Sequence, residues 1–331
     1  MLNMDGQIAA EFLKMNITHP RMTSAHRTYD ELRKLKRLVP YKPQRCAFLF
    51  APSQSGKSKT VECYIETKVV DEVIAAGLFP ADMDREVIAK RQRVALHVTL
   101  SSSATRKSLA GDILTEFGDP HARTGTEVAL LGRVYRYMKQ FGTQILFLDE
   151  IQHLDHRLTL NEKKIERASA PLSSAVPDTL KTMLIRGLVP IVFIGTSEAK
   201  NMIMSDGQLR ERCLSQIEFE TLRPEISQER DIFEKYLEAL GVKIKQHRIL
   251  DEAADLIGGG LPPLIHVVAG GRLGAASNLV SAACMIARER GASQLCREHL
   301  SEAVYEWAIP MELISYNPFE QGIQGYERRR K

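Results

Sequence analysis

Five short runs of consecutive apolar residues punctuate the first two thirds of the chain. They are CAFLF at 46–50, VALHVTL at 94–100, QILFLD at 144–149, PIVFIG at 190–195 and SQIEFE at 215–220. Runs this short and this rich in Val, Ile, Leu and Phe suit strands covered on both faces, as in a parallel sheet. Between them, apolar residues recur at helical spacing. After Lys57, the positions Val61, Tyr64, Ile65, Val69 and Val73 share one helix face, and Gly77 is placed to end it. After Thr105, the residues Leu109, Ile113, Leu114 and Phe117 repeat the pattern up to Gly118. Strand and helix in alternation predict an α/β class with right-handed crossovers.

Beyond Pro224 only helical periodicity remains, over 227–240, 247–257, 272–290 and 297–307, with GGGLPP at 258–263 as a break between two helices. The expected organisation is therefore a polar, helix-poor leader over 1–44, an α/β core over 45–224 and a helical lid over 225–310. A flexible basic tail over 311–331 follows, loosely ordered after Pro310. No internal repeat interrupts this scheme.

Composition adds limits. Apolar residues make up 44% of the chain and charged residues 26%, ordinary for a soluble globular protein. No run of about 18 apolar residues is present, so no membrane partner is expected. The N-terminus, MLNMDGQIAAEFLKMN, lacks the basic and apolar regions of a secretory signal. The five cysteines are scattered without a CxxC pair, which argues for reduced thiols in a cytoplasmic protein. A net charge of +4 neither requires nor opposes a polyanionic partner. Basic clusters do occur, at KRQR (90–93), TRK (105–107) and RRRK (328–331).

The candidate chemistry starts where the first run ends. APSQSGKS, at 51–58, is a small-residue turn between a strand and a helix, the layout of a phosphate-binding loop. Its backbone N–H groups, from Ser53, Gln54, Ser55 and Gly56 through Ser58 and Lys59, would face an anion at a helix N-terminus. Lys57 is suited to the β- and γ-phosphates of ATP and the Ser58 hydroxyl to Mg²⁺. Ala51 replaces the first glycine of the usual pattern, which is tolerable if that position needs only a negative φ. The third run ends in Asp149 and Glu150, two carboxylates at the C-terminal end of a buried strand, where open α/β sheets bind ligands. Asp149 is placed to hold the metal, and Glu150 to orient and deprotonate the attacking water. Thr196 or Ser197, after the fourth run, suits either a γ-phosphate sensor or an ordinary helix N-cap. Arg210 and Arg212 precede the last run, and either can stabilise a transferring phosphoryl group on a neighbouring subunit. Arg272 opens a lid helix from which it can reach the phosphates.

Five strands, the two nucleotide motifs, a polar strand end, late arginines and a helical lid together resemble the AAA+ ATPases, over residues 20 to 310. HVTLSSSATRKSLAGDILTEFGDP followed by LFLDEIQHL and FIGTSEA is similar to the TniB/TnsC family of transposition ATPases, relatives of phage Mu B. The early THP at 18–20 also fits that family's leader. The resemblance implies a five-stranded parallel AAA+ P-loop core with a small helical lid, and a leader contributing to the nucleotide pocket. It implies Mg²⁺-dependent ATP hydrolysis and assembly of a homo-oligomer, ring or helical filament, on target duplex DNA. A target-selector protein nucleates that assembly, a transposase is recruited to it, and hydrolysis dismantles it, in the nucleoid of a bacterial cytoplasm. In this scheme Thr196 takes the sensing position and Arg272 that of the lid arginine. Ser103, Thr105, Arg106 and Lys107, in the loop SSSATRK, are the first candidates for DNA phosphates. Lys163 and Lys164 are the second. Other AAA+ ATPases, such as helicase loaders or ExeA-like proteins, share both nucleotide motifs, and a STAND-type signalling NTPase is a further alternative. A small-molecule kinase fits less well, because the acidic pair suits water activation.

Overall fold

The computed structural model describes residues 5–102, 105–154 and 175–323. These residues form two compact units. One comprises 21–52 and 57–219; the other comprises the described parts of 1–20 and 220–331 together with 53–56.

In the first unit the five apolar runs become strands β1 (Cys46–Phe50), β2 (Ala95–Thr99), β3 (Ile145–Asp149), β4 (Ile191–Gly195) and β5 (Cys213–Glu218). They pair in parallel in the order β2-β3-β4-β1-β5. Every residue of β1, β3 and β4 is buried. Alternation across the pleat sends them to opposite faces. Phe48, Phe50, Leu146, Leu148 and Phe193 pack with Leu109, Ile113, Val134 and Leu180 of the helices Arg106–Phe117, Glu127–Gln140 and Ala175–Ile185. Ala47, Leu49, Phe147 and Ile194 pack on the other face with Tyr29, Leu32, Val61 and Tyr64. These last four come from the helices Pro20–Leu38 and Lys57–Tyr64.

Both helical patterns of the core form. The first runs from Lys57 to Ala75 with a π turn over Ile65–Val69, and Gly77 follows at φ +69°. The second is capped by Thr105, which accepts from the Ser108 N–H, and closed by Gly118 at φ +80°.

The leader differs from the expectation of a helix-poor segment. It contains the helices Gly6–Lys14 and Pro20–Leu38. In the second of these, the polar His26 and Arg33 share the buried face with Met22, Ala25, Tyr29 and Leu32. Arg33 is only 1% exposed, held by the Tyr64 hydroxyl at 2.9 Å, by Gln144 and by an ion pair with Glu72.

The second unit is helical, with Ser227–Gln246, Leu261–Ala269, Leu273–Glu289 and Arg297–Ala303 around one apolar core that includes Ile8 and Met15. Two expectations fail here. Residues 247–257 are not helical. Arg248, at φ +55°, ends the preceding helix, and Ile249, Leu250, Ala254 and Leu256 are buried from irregular backbone. Conversely, a helix starts inside GGGLPP. Its prolines lie in the first turn, where no N–H is needed, behind Gly260 at φ +70°. Asn317 and Phe319 are buried, so the chain is still packed well beyond Pro310.

Candidate active site

The strand register sets the site. Phe50 pairs with Gly195 and Thr99 with Asp149, so β1, β2, β3 and β4 finish at one edge of the sheet. Ala51, fully buried, continues the ladder through its N–H to the Gly195 carbonyl at 3.2 Å, and it has no positive φ. Alanine therefore fits where the pattern has glycine. The left-handed residues of the loop are Gln54 (φ +63°) and Gly56 (φ +88°). Ser55 is buried and its hydroxyl has no partner among the described residues. An unpaired buried hydroxyl in a turn at the start of a helix fits an anion such as a phosphate.

Lys57 is 8% exposed, and its ammonium donates to the carbonyls of Ala51 at 2.8 Å and Pro52 at 2.9 Å. Burial pushes it below the ordinary lysine value, and the carboxylates of Asp149, Glu150 and Glu198 pull it back. The Ser58 hydroxyl donates to Asp149 Oδ2 at 2.6 Å, so the two candidate metal ligands already touch. Asp149 is 3% exposed. Burial works against its charge. Hydrogen bonds from His97 and Ser58 and from the Glu150 N–H outweigh that effect and hold the carboxyl below the ordinary range. One hydroxyl and one carboxylate suit Mg²⁺, which keeps several waters and takes phosphate oxygens. No cluster of three or more His, Cys, Asp or Glu forms a metal cage among the described residues.

Glu150 sits at φ +59°, a left-handed conformation that is uncommon without a glycine and is often kept at functional positions. Its carboxylate is hydrogen-bonded by the Gln152 amide, and the Gln152 Oε1 accepts from the Thr196 N–H at 3.3 Å. Gln152 thus joins the acidic pair to the end of β4. Gly195 is needed there, since a Cβ would lie 2.7 Å from Ile151 Cγ1. The Thr196 side chain hydrogen-bonds Glu198, whose carboxyl is lowered by that bond first and by Lys57 among other causes.

Ser53 is exposed, and Lys59 pairs with Glu62 at 3.9 Å. Arg210 is exposed, and its guanidinium makes only a long 3.4 Å contact, to the Met204 carbonyl, among the described residues. Arg212 is half-buried, and its backbone carbonyl is tied to the Cys46 N–H at 3.0 Å. In the helical unit Arg272 precedes the helix Leu273–Glu289 and donates from Nε to the Ala269 carbonyl at 3.0 Å. Two residues on, a Cβ on Gly274 would lie 2.5 Å from the carbonyl of Gln54, which belongs to the same unit. Thr105 serves as a helix cap, Arg106 pairs with Glu127 at 3.4 Å, and Lys107 is exposed. Ser103, Lys163 and Lys164 lie outside the described residues. Sequence reasoning passed over His97, Gln152 and Glu198. The one available signal was His97, a polar residue in an otherwise apolar run.

The fold and the loop with its facing acidic strand end define the class: this is the α/β AAA+ fold followed by a helical region. Residues 41–203 match the AAA domain family, a little under half of the chain. No curated protein sequence matches. Among solved structures, the chain is similar to the ORC1 protein of Aeropyrum pernix in complex with DNA, with a TM-score of 0.58 at 18% identity. That match covers 91% of this chain and 68% of the other. It is also similar to Cdc6p from Pyrobaculum aerophilum, with a TM-score of 0.57 at 13% identity over 92% and 72% of the two chains. The ORC2 protein of Aeropyrum pernix, in its ADPNP–ADP complexes, gives 0.53 at 12% identity over 92% and 72%. At these identities the likeness establishes the fold. No helix among the described residues is long and apolar enough to cross a membrane.

Proposed function

We propose that the protein is a Mg²⁺-dependent ATPase of the TniB/TnsC type. In this reading it assembles on target duplex DNA when ATP is bound, presents that DNA to a transposase, and leaves it after hydrolysis. The observation that carries the ATPase reading is the contact of Ser58 with Asp149 at 2.6 Å beside the buried Lys57 ammonium. The loop N–H groups and the Ser55 hydroxyl bind phosphate oxygens. Lys57 exchanges its two loop carbonyls for the β- and γ-phosphates. Ser58 and Asp149 hold the metal, which when bound neutralises charge on those phosphates. Glu150, oriented by Gln152, takes the proton of the attacking water on its carboxylate. Thr196, linked to both through Gln152 and Glu198, senses the γ-phosphate. Arg210, exposed, or Arg212, half-buried with its Nε unpartnered among the described residues, acts on a neighbouring subunit.

Duplex binding is supported by the likeness to an ORC1 protein solved with DNA and by the exposed Lys107. The transposition reading rests on the motif order of the sequence. Other AAA+ ATPases remain compatible with the same site. The test is calorimetry with ATP and Mg²⁺, then electron microscopy with duplex DNA and a non-hydrolysable analogue. Wild type should bind and form ordered DNA-bound assemblies, and Lys57→Ala should do neither. Assembly by Lys57→Ala equal to wild type would sink the reading. DNA-bound assemblies that fail to retain the cognate transposase would leave the ATPase standing but remove the transposition role.

A further inference from the structure

At the opposite edge of the sheet, where β1, β3 and β4 begin, lies a groove of about 830 Å³. The end of the helix Pro20–Leu38, the end of the helix Glu127–Gln140 and the turns before β3 and β4 build it. Its cations are Lys36, Arg37, Arg136, Lys139 and Arg186, and no carboxylate among the described residues lines it. Among the described residues none of the five makes an ion pair with an acid. Such a concentration of like charge costs folding stability through self-repulsion, which an anionic ligand would relieve. The walls are fixed: the Lys36 ammonium donates to the Pro40 carbonyl at 2.9 Å and the Gly187 carbonyl at 2.6 Å. Gly187 stands at φ +67° with no room for a side chain, since a Cβ would lie 2.6 Å from the Lys42 carbonyl. Arg37 is steadied by Gln144 at 2.9 Å. The lining is also apolar. Tyr41 is 88% exposed, Met138 is buried in the lining, and the Arg186 guanidinium covers the Tyr135 ring at 5.6 Å.

We infer that this groove docks an acidic linear segment of a partner protein, with an apolar side chain between its carboxylates. Charge complementarity selects the acids, and arginine forks suit carboxylates in particular. The apolar lining selects the anchor. Nucleic acid fits less well. Single strands need successive free ring faces for stacking, and here one ring is free while the other lies under a guanidinium. A duplex presents its phosphates on a convex cylinder that a concave groove of this size does not admit. The inference uses no residue of the nucleotide site and stands or falls separately from the ATPase reading.

The test pans a random dodecapeptide library on the full chain and on Arg136→Glu/Lys139→Glu/Arg186→Glu. The best peptide is then measured by fluorescence anisotropy, with a fluorescein-labelled dT12 in parallel. The expected result is enrichment of Asp- and Glu-rich peptides carrying one aromatic or aliphatic anchor. Their binding should weaken at least tenfold in the charge-reversed variant and fall with salt. Arg136→Gln/Lys139→Gln/Arg186→Gln, with unchanged melting, should show the same loss and so separates binding from folding. Peptides without acidic bias, equal affinity for the variants, or tighter groove-dependent binding of dT12 would each overturn the inference.

Discussion

At the scale of single residues, the acidic pair divides its labour by environment. Asp149 is locked by three donors, while Glu150 is held by one amide from a left-handed backbone. Glu150→Gln should bind ATP with near-normal affinity yet hydrolyse it about a hundredfold or more slowly, since a lost general base typically costs that much. Single-turnover phosphate release checks this, and hydrolysis at the wild-type rate would reassign the base. Asp149 also makes a pH prediction. Its folded value lies below the ordinary 3.8, so its charge contributes stability that is present above that value and lost as pH falls through the folded one. The melting-temperature gap between wild type and Asp149→Asn should therefore stay level from neutral pH down to about 5. It should shrink only below about pH 4.

Elements are held together by polar groups that their sequence patterns do not advertise. The helix Pro20–Leu38 is bound to the core by Tyr29 against Phe147 and by the buried Arg33, so its residues from Arg21 on belong to the α/β unit. In the helical unit, Gly241 lies mid-helix and accepts from the Ala254 N–H at 3.1 Å. Replacing glycine by alanine inside a helix normally stabilises by roughly 1 kcal/mol. Here the new Cβ would overlap the Ala254 carbonyl oxygen. The sign should reverse, and Gly241→Ala should lose about 2 kcal/mol, as overpacked sites do. Denaturant titration decides it, and a gain in midpoint would show that the segment 247–257 moves aside freely.

For the whole molecule, the proposed DNA-bound assembly should reveal its contacts through salt. Arg106 already shares its charge with Glu127, whereas Lys107 is exposed. Arg106→Ala with Lys107→Ala should weaken duplex binding uniformly across sequences. The slope of log affinity against log salt should drop by about one to two. An unchanged slope would take this helix start out of the interface. ATP with Mg²⁺ should raise the melting temperature in proportion to its saturation, an effect that Lys57→Ala should abolish.

Much was legible in the chain itself. The five strands fall within one or two residues of the apolar runs; in β1, β3 and β4 burial on both faces leaves no room for polar interruption, whereas β2 admits His97 and β5 is buried only at Ile217. The phosphate loop and the acidic strand end could be read because their chemistry is local: a turn, a helix start and a strand terminus are each written in consecutive residues. The misreadings arose where burial and helicity part company. Ile249 to Leu256 look periodic but pack from irregular backbone, and two prolines that suggested a break occupy a helix's first turn. What only the folded chain could decide is which distant residues meet. His97 reaches Asp149 because β2 pairs in register with β3, and Gln152 bridges Glu150 to Thr196 because β4 lies beside β3. Pairing between strands is set by long-range packing, which no stretch of neighbouring residues encodes.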